Sequence, residues 1–89
     1  MSSQLIDKIK EAETGALAAF QAAGTPEILE EARIAYLGTK GQFAELMKSL
    51  GALPKDERPQ AGAAANEARQ RASQAHQEAK EALEAAYSQ

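Results

Sequence analysis

Basic side chains concentrate in the middle of this 89-residue sequence, and lysine and arginine are the side chains that most often contact phosphate groups. Residues 33–58 carry five basic and three acidic residues, whereas residues 1–32 carry two and six, and residues 59–89 carry three and four. The net charge of −3 is therefore the sum of acidic first and last parts and a basic middle part. From composition alone, a solvated surface is the favoured interpretation of this middle segment, and contact with nucleic acid is the alternative. The candidate phosphate contacts in it are Arg33, Lys40, Lys48 and Arg58.

Two more arginines, Arg69 and Arg71, follow in the last third of the chain. They either extend a track of phosphate contacts or form ion pairs beside a helix–helix contact. The sequence favours neither reading over the other.

No group of residues indicates catalysis. His76 is the only histidine and the chain has no cysteine, which excludes a multi-histidine metal site and a cysteine nucleophile. Ser73 stands one turn before His76, but nucleophilic catalysis also needs a third, orienting group and a cleft. The stretch Gly38-Thr39-Lys40-Gly41 lacks the full spacing of a phosphate-binding P-loop. We therefore expect no catalytic, metal-binding or cofactor-binding residues in this chain.

The apolar residues exclude a membrane span. They make up 44% of the chain, but alanine supplies most of that share and aromatic residues only 4%. No apolar run approaches the roughly 18 residues that a membrane span needs, and the amino terminus does not resemble a signal peptide. We expect a cytoplasmic protein with no membrane partner.

Helix breakers divide the sequence into four predicted helices within one all-α domain, residues 1–89. The helices are predicted at 3–23, 26–37, 42–50 and 59–87, with a turn at 54–57. Ser2 or Ser3 is the predicted cap of the first helix, and Thr25 followed by Pro26 begins the second.

Small apolar residues recur in steps of four and three along the first and last predicted helices, a spacing typical of coiled coils. On the last helix the seam is Ala61, Ala65, Ala68, Ala72, Ala75, Ala79, Ala82 and Ala86. On the first helix it is Leu5, Ile9, Ala12, Ala16, Ala19 and Ala23. Two matching seams predict an antiparallel two-helix coiled-coil hairpin, with the two short helices at its connecting end.

That antiparallel pairing also predicts charged neighbours on either side of the seam. Lys8 is expected near Glu78, and Glu13 near His76 or Arg69. Because alanine buries little apolar area, we expect the isolated chain to be modestly stable and able to self-associate.

One block of residues resembles a known family. Tyr36-Leu37-Gly38 and Lys40-Gly41, followed sixteen residues later by Glu57-Arg58-Pro59, resemble the N-terminal domain of the bacterial phenylalanine–tRNA ligase alpha subunit. The resemblance covers essentially the whole chain. It implies a coiled-coil arm that contacts tRNA(Phe), a beta subunit in an alpha2beta2 tetramer, and a catalytic module, outside this sequence, that uses ATP and magnesium.

We therefore predict a tRNA-binding arm that positions tRNA(Phe) and has no catalytic activity of its own. Lys40 and Lys48 are its expected phosphate contacts, together with Arg33 and Arg58. The alternative is a protein–protein interaction hairpin without a nucleic-acid role, docking through its alanine seam or through the apolar cluster at its connecting end.

Overall fold

A computed structural model describes residues 2–87 of the chain, with side chains from residue 4 onward. It contains α1 (Ser2–Ala22), α2 (Pro26–Leu37), α3 (Gln42–Leu50) and α4 (Arg58–Tyr87), and residues 2–87 include no strand. The predicted all-α class is confirmed, and each helix begins and ends within one residue of its predicted bounds. The predicted cap by Ser2 or Ser3 lies outside the described side chains.

The start of α2 has the predicted capping arrangement. Thr25 is extended, with φ −137° and ψ 155°, and its hydroxyl oxygen accepts a hydrogen bond from the Ile28 N–H at 3.1 Å. Pro26 follows at the beginning of the helix, where a missing N–H costs nothing because the first turn has no intrahelical acceptor. The chain can therefore turn sharply after α1 and begin a new helix within three residues.

The link between α2 and α3 is tight enough to need glycine at both ends. The Gly38 N–H donates to the Ile34 carbonyl at 3.2 Å, and the Gly41 N–H donates to the Gly38 carbonyl at 2.9 Å. A Cβ on Gly38 would lie 2.6 Å from the Ile34 oxygen, and one on Gly41 would lie 2.9 Å from the Ala35 oxygen. Both glycines are required by this close approach of backbone atoms.

The contact between α1 and α4 is the seam that the sequence predicts, but the two helices run in the same direction. Glu13 pairs with Arg71, and the Phe20 ring contacts the His76 ring. Farther along, the Tyr87 hydroxyl donates to the Gly24 carbonyl at 3.5 Å. Partner numbers rise together on the two helices, whereas antiparallel helices would show one rising as the other falls. The predicted antiparallel pairing of the first and last helices is therefore wrong.

The buried residues follow the same parallel register. On α1 they step by four, three and four from Leu5 to Ala16, and on α4 they take the same steps from Ala61 to Ala72. The buried members are Leu5, Ile9, Ala12 and Ala16 on α1, and Ala61, Ala65, Ala68 and Ala72 on α4. Because these side chains are covered within the chain, docking of a partner through this part of the seam is excluded.

The middle helices run back along the bundle instead of lying at its end. Tyr36 of α2 packs against Phe20 with ring centroids 6.4 Å apart, and a Cβ on Gly15 would lie 2.7 Å from the Tyr36 hydroxyl oxygen. Ahead of Tyr36 on α2, Leu29 lines a groove with Leu83 near the end of α4. Since α2 and α3 run opposite to both α1 and α4, the two outer helices must be parallel to each other.

The predicted flanking pairs change with the direction of the seam. Glu13 contacts Arg71, with 3.4 Å between their oxygen and nitrogen atoms, instead of His76 or Arg69. Glu78 lines a groove with Leu17 and Gln21. Lys8, which was predicted beside Glu78, lies instead beside Lys40 and α3.

The bundle is elongated, with extents of 52 × 18 × 15 Å. At about 1.5 Å per residue, the 30 residues of α4 alone span roughly 45 Å, so this helix sets the length. None of the helices in the described part of the chain is both long and apolar enough to cross a membrane.

Candidate nucleic-acid interface

Helix α3 lies between α1 and α4 and has basic side chains on both sides and on its outer surface. On the side of α1, Lys8 and Lys40 line one groove together with Gln42 and Ser49. Neither lysine forms a salt bridge with any side chain that the structure describes. Both ammonium groups are therefore available to an anion, with an amide and a hydroxyl group beside them.

On α3 itself, Lys48 is the basic residue. Its side chain is 72% exposed, and its ammonium nitrogen lies 3.6 Å from a carboxylate oxygen of Glu45 one turn earlier. A pair this exposed contributes little, typically below about 1 kcal/mol. Lys48 can therefore exchange Glu45 for a phosphate at small cost.

On the side of α4, Arg69 is one of the residues that line a small pocket next to the α2–α3 link. Leu37, Phe43 and Met47 supply most of the apolar lining of this pocket, and Thr39 of the link contributes a polar side chain. Arg69 donates no hydrogen bond and forms no ion pair within residues 2–87. It is a charged, partner-free side chain on the same part of the bundle as Lys48.

We name these four cations, Lys8, Lys40, Lys48 and Arg69, the α3 basic surface. Two carboxylates, Glu11 and Glu45, line the same groove as Lys8 and Lys40. Four positive charges and two negative charges leave this surface at +2, within a chain whose total is −3. The side chains around this short helix therefore carry a net positive charge, although the chain as a whole is acidic.

Arg33 lies away from this surface, in a groove between α2 and α4 with His76 and Lys80. Its guanidinium donates two hydrogen bonds to the Glu30 carboxylate, at 2.8 and 2.6 Å. These hydrogen bonds lower the pKa of Glu30 and raise the pKa of Arg33. Two N–H donors of the Arg33 guanidinium are therefore already bonded to a carboxylate.

Arg58 has a structural role at the start of α4. Its guanidinium donates to the Leu53 carbonyl at 2.8 Å and to the Gly51 carbonyl at 2.9 Å. These bonds satisfy carbonyl groups just beyond the end of α3, where a helix leaves acceptors without partners. Arg58 therefore fixes the connection between α3 and α4.

Arg71 lies in the groove between α1 and α4. It pairs with Glu13 at 3.4 Å and with Glu67 at 3.7 Å. Of the two readings that the sequence left open for this residue, the structure gives the ion pair beside the seam. Arg69, two residues earlier, forms no ion pair within the described residues.

Of the six predicted contacts, the structure gathers Lys40, Lys48 and Arg69 and adds Lys8. Sequence reasoning missed Lys8 because an antiparallel seam placed it at the other end of the bundle. Only the direction of the seam places Lys8 beside Lys40, and the alternating spacing does not reveal that direction.

His76 is the one histidine, and it is half-buried. Its ring meets the edge of Phe20 with centroids 5.5 Å apart. Burial lowers the pKa of His76, and the positive charge of Arg33 lowers it further. Across residues 2–87, no three His, Cys, Asp or Glu side chains form a group that could hold a metal ion.

Comparison with known families shows where this chain belongs. Residues 24–89 match the family described as "Aminoacyl tRNA synthetase class II, N-terminal domain". The chain belongs to this family. The match takes in α2, α3 and α4, and with them Lys40, Lys48 and Arg69 of the α3 basic surface, while Lys8 precedes it.

Similar individual proteins include the alpha subunits of phenylalanine–tRNA ligases from several bacteria. The phenylalanine–tRNA ligase alpha subunit of Alcanivorax borkumensis is 46% identical over 71 residues, covering 80% of this chain and 21% of the relative. That of Aeromonas hydrophila is 55% identical over 58 residues, covering 65% and 18%. That of Bacillus subtilis is 38% identical over 78 residues, covering 88% and 23%.

These matches confirm the resemblance that the block from Tyr36 to Pro59 suggests. The chain spans about a fifth of the length of the curated relatives it matches. Comparison with solved structures gives no significant match.

Proposed function

We propose that this domain binds tRNA(Phe) and helps to position it for a phenylalanine–tRNA ligase alpha subunit. The observation that carries the proposal is the α3 basic surface, a local charge of +2 in an acidic chain that belongs to a tRNA synthetase family. A polyanion is attracted to this positively charged set of side chains, whereas the chain as a whole carries a net negative charge. The charge distribution therefore orients the RNA as well as holding it.

The mechanism is contact with phosphates, not recognition of sequence. Lys8 and Lys40 line a groove that can receive one part of the backbone, and Lys48 stands on the exposed side of α3. Such contacts fix the register and orientation of a nucleic acid but carry no sequence information directly. Three or four of them give a modest affinity that falls as salt concentration rises.

The proposal replaces three of the sequence-predicted contacts by structural roles. Arg33, Arg58 and Arg71 are each held by carboxylates or carbonyls of the chain itself. Recruiting any of them to a phosphate would first require those bonds to break. In their place we propose Lys8 as a phosphate contact, because it lines the same groove as Lys40.

The proposal extends to a longer enzyme of which this domain is the arm. By analogy with the family, catalysis, ATP and magnesium belong to a catalytic module that acts on the positioned tRNA, with a beta subunit in an alpha2beta2 assembly in the cytoplasm. In this proposal the domain binds tRNA and takes no part in a reaction step.

The test is a titration of tRNA(Phe) with the 89-residue chain over a series of salt concentrations. Lys40→Glu combined with Lys48→Glu should lower the affinity about tenfold or more, and it should reduce the slope of log K against log salt by about 2. The matched control is Lys10→Glu combined with Lys80→Glu, which changes the net charge by the same amount away from the α3 basic surface. Equal losses in both double variants would mean that only overall charge matters, and the proposal would be wrong.

A further inference from the structure

The pocket beneath Arg69 is the feature that phosphate binding does not explain. It has a volume of about 220 Å³ and lies between α3, the α2–α3 link and α4. Phe43, which is 3% exposed, is the most deeply buried of its lining residues, and Met47, which is 36% exposed, stays open to solvent. This volume is below the roughly 300–1,000 Å³ of sites for drug-sized ligands, so it suits a single flat ring system.

Arg69 differs from every other arginine of the chain. The chain has four arginines, and the guanidinium groups of Arg33, Arg58 and Arg71 are all bonded to oxygen atoms of their own chain. Arg69 has no such bond within the described residues, although it borders an apolar pocket where a carboxylate could have been placed. A guanidinium group that lines a mostly apolar pocket and has no partner within the described residues is suited to stacking on an aromatic ligand.

Thr39 supplies the polar groups that such a ligand would need. It lies on the link between Gly38 and Gly41 and lines the same pocket. Neither its backbone N–H nor its hydroxyl takes part in a hydrogen bond within residues 2–87. A heterocycle in the pocket could therefore accept a hydrogen bond from Thr39 at its edge while Arg69 covers its face.

We propose that this pocket takes one unstacked nucleobase of the bound RNA, with Arg69 over the face of the base and Leu37, Phe43 and Met47 beneath it. The inference rests on the proposed function, because the pocket lies on the α4 side of the α3 basic surface and an RNA backbone held there would bring bases within reach. Proteins that bind single-stranded or looped RNA use splayed bases in this way, stacked on aromatic or arginine planes. The three lysines of the α3 basic surface hold the backbone, and the pocket with Arg69 selects RNA that can offer an unpaired base.

The first experiment needs no tRNA. The isotope-labelled chain is titrated with AMP and UMP, and with ribose 5-phosphate as the matched ligand that lacks a base. The nucleotides should shift the Met47 methyl and Arg69 Nε–H resonances, whereas ribose 5-phosphate should leave the Met47 methyl unchanged. If all three ligands give the same shifts, the site reads only phosphate and the base pocket is wrong.

The second experiment separates the contribution that the positive charge of Arg69 makes to tRNA affinity from the contribution of its planar guanidinium group. Arg69→Lys keeps the charge but removes the planar group, so tRNA(Phe) affinity should fall about tenfold with an unchanged salt slope. Arg71→Lys, the same change at an arginine held by Glu13, should leave affinity within about twofold. The Arg69 side chain makes no bond within the described chain, and a lysine at position 71 keeps the charge that pairs with Glu13, so both variants should keep the helical content of the parent.

The outcomes separate this inference from the proposed function. If Arg69→Lys binds like the parent while Arg69→Ala loses affinity and about one unit of salt slope, Arg69 contacts phosphate, so the pocket fails and the tRNA-binding proposal survives. If the parent chain does not bind tRNA(Phe) at low salt, the tRNA-binding proposal fails. The nucleotide titration decides the pocket in either case.

Discussion

The rings of Phe20 and His76 meet edge to face, with centroids 5.5 Å apart and planes inclined at 72°. Phe20 belongs to α1 and His76 to α4, and Tyr36 of α2 packs on Phe20 from a third direction. Phe20 is only 1% exposed and, with Ile9, is one of the two largest fully buried side chains. In a bundle held mostly by alanine, this ring supplies the bulk at the point where three helices meet.

Replacing Phe20 by alanine should therefore unfold the chain at much lower denaturant concentration. Removing a buried phenylalanine typically costs about 3–5 kcal/mol, which is a large part of the stability of a domain this small. Urea unfolding followed by circular dichroism measures the loss. Tyr87→Ala is the control, because that side chain is 63% exposed and should change stability by less than about 1 kcal/mol. Similar losses in both variants would contradict the central position of Phe20.

Cysteine pairs can test the parallel direction of α1 and α4, since the natural chain has no cysteine. Phe20 contacts His76, and the same offset along the chain pairs the buried Ala12 with the buried Ala68. The double variant Ala12→Cys, Ala68→Cys should therefore oxidise to a disulfide. In an antiparallel hairpin Ala12 would face Ala75 instead. Ala12→Cys with Ala75→Cys is thus the matched pair that should stay reduced, because seven residues of helix separate positions 68 and 75 by about 10 Å. Reversed results, read from non-reducing gel mobility, would restore the antiparallel hairpin.

The positions of the helices and the identity of the seam were predictable because their signals are local. Thr25 followed by Pro26 marks a helix start by its own chemistry, and Gly38 and Gly41 mark the link where only glycine fits. The alternating steps of four and three likewise identified the contact between α1 and α4. Each of these features depends on residues a few positions apart.

The direction of the helices and the place of Lys8 in the candidate site were not predictable in this way. A spacing of four and three reads the same from either end, so it cannot distinguish parallel from antiparallel helices. Direction depends on where α2 and α3 travel, and this is decided by distant contacts such as Tyr36 with Phe20. The same error removed Lys8 from the predicted site. It also left the roles of Arg69 and Arg71 undecided, because their difference depends on whether Glu13 is within reach.

The half-buried position of His76 predicts that the chain loses stability in mild acid. Burial against Phe20 lowers the pKa of His76 below its ordinary value near 6.5; Arg33 and Lys80 lower it further, against the opposing effect of Glu30. The unfolded chain therefore binds a proton more readily than the folded chain. The free energy of unfolding should be highest above pH 6.5 and should fall as the pH drops from there toward the folded pKa.

Thermal unfolding at pH 7.5 and pH 5.5 measures this effect. The melting temperature should be lower at pH 5.5 by about 2 °C, since His76 is only partly buried. His76→Gln removes the titrating group and should flatten the dependence in this range. The pKa of Glu30 is itself lowered, so this carboxylate stays charged at both pH values and does not contribute. If the melting temperature of the glutamine variant fell by the same amount between pH 7.5 and pH 5.5, the acid sensitivity would belong to another group.

Arg58 provides the test that separates a structural arginine from an RNA contact. Its guanidinium holds the Leu53 and Gly51 carbonyls, so Arg58→Ala should lower the free energy of unfolding by about 1 kcal/mol. Lys55→Ala, in the same connection, is the control and should cost less than half of that. Under conditions in which both variants remain folded, Arg58→Ala should bind tRNA(Phe) with nearly the parent affinity and an unchanged salt slope, because the α3 basic surface is intact. A variant with parent stability but a salt slope smaller by about one unit would instead make Arg58 a phosphate contact, as the sequence alone suggests.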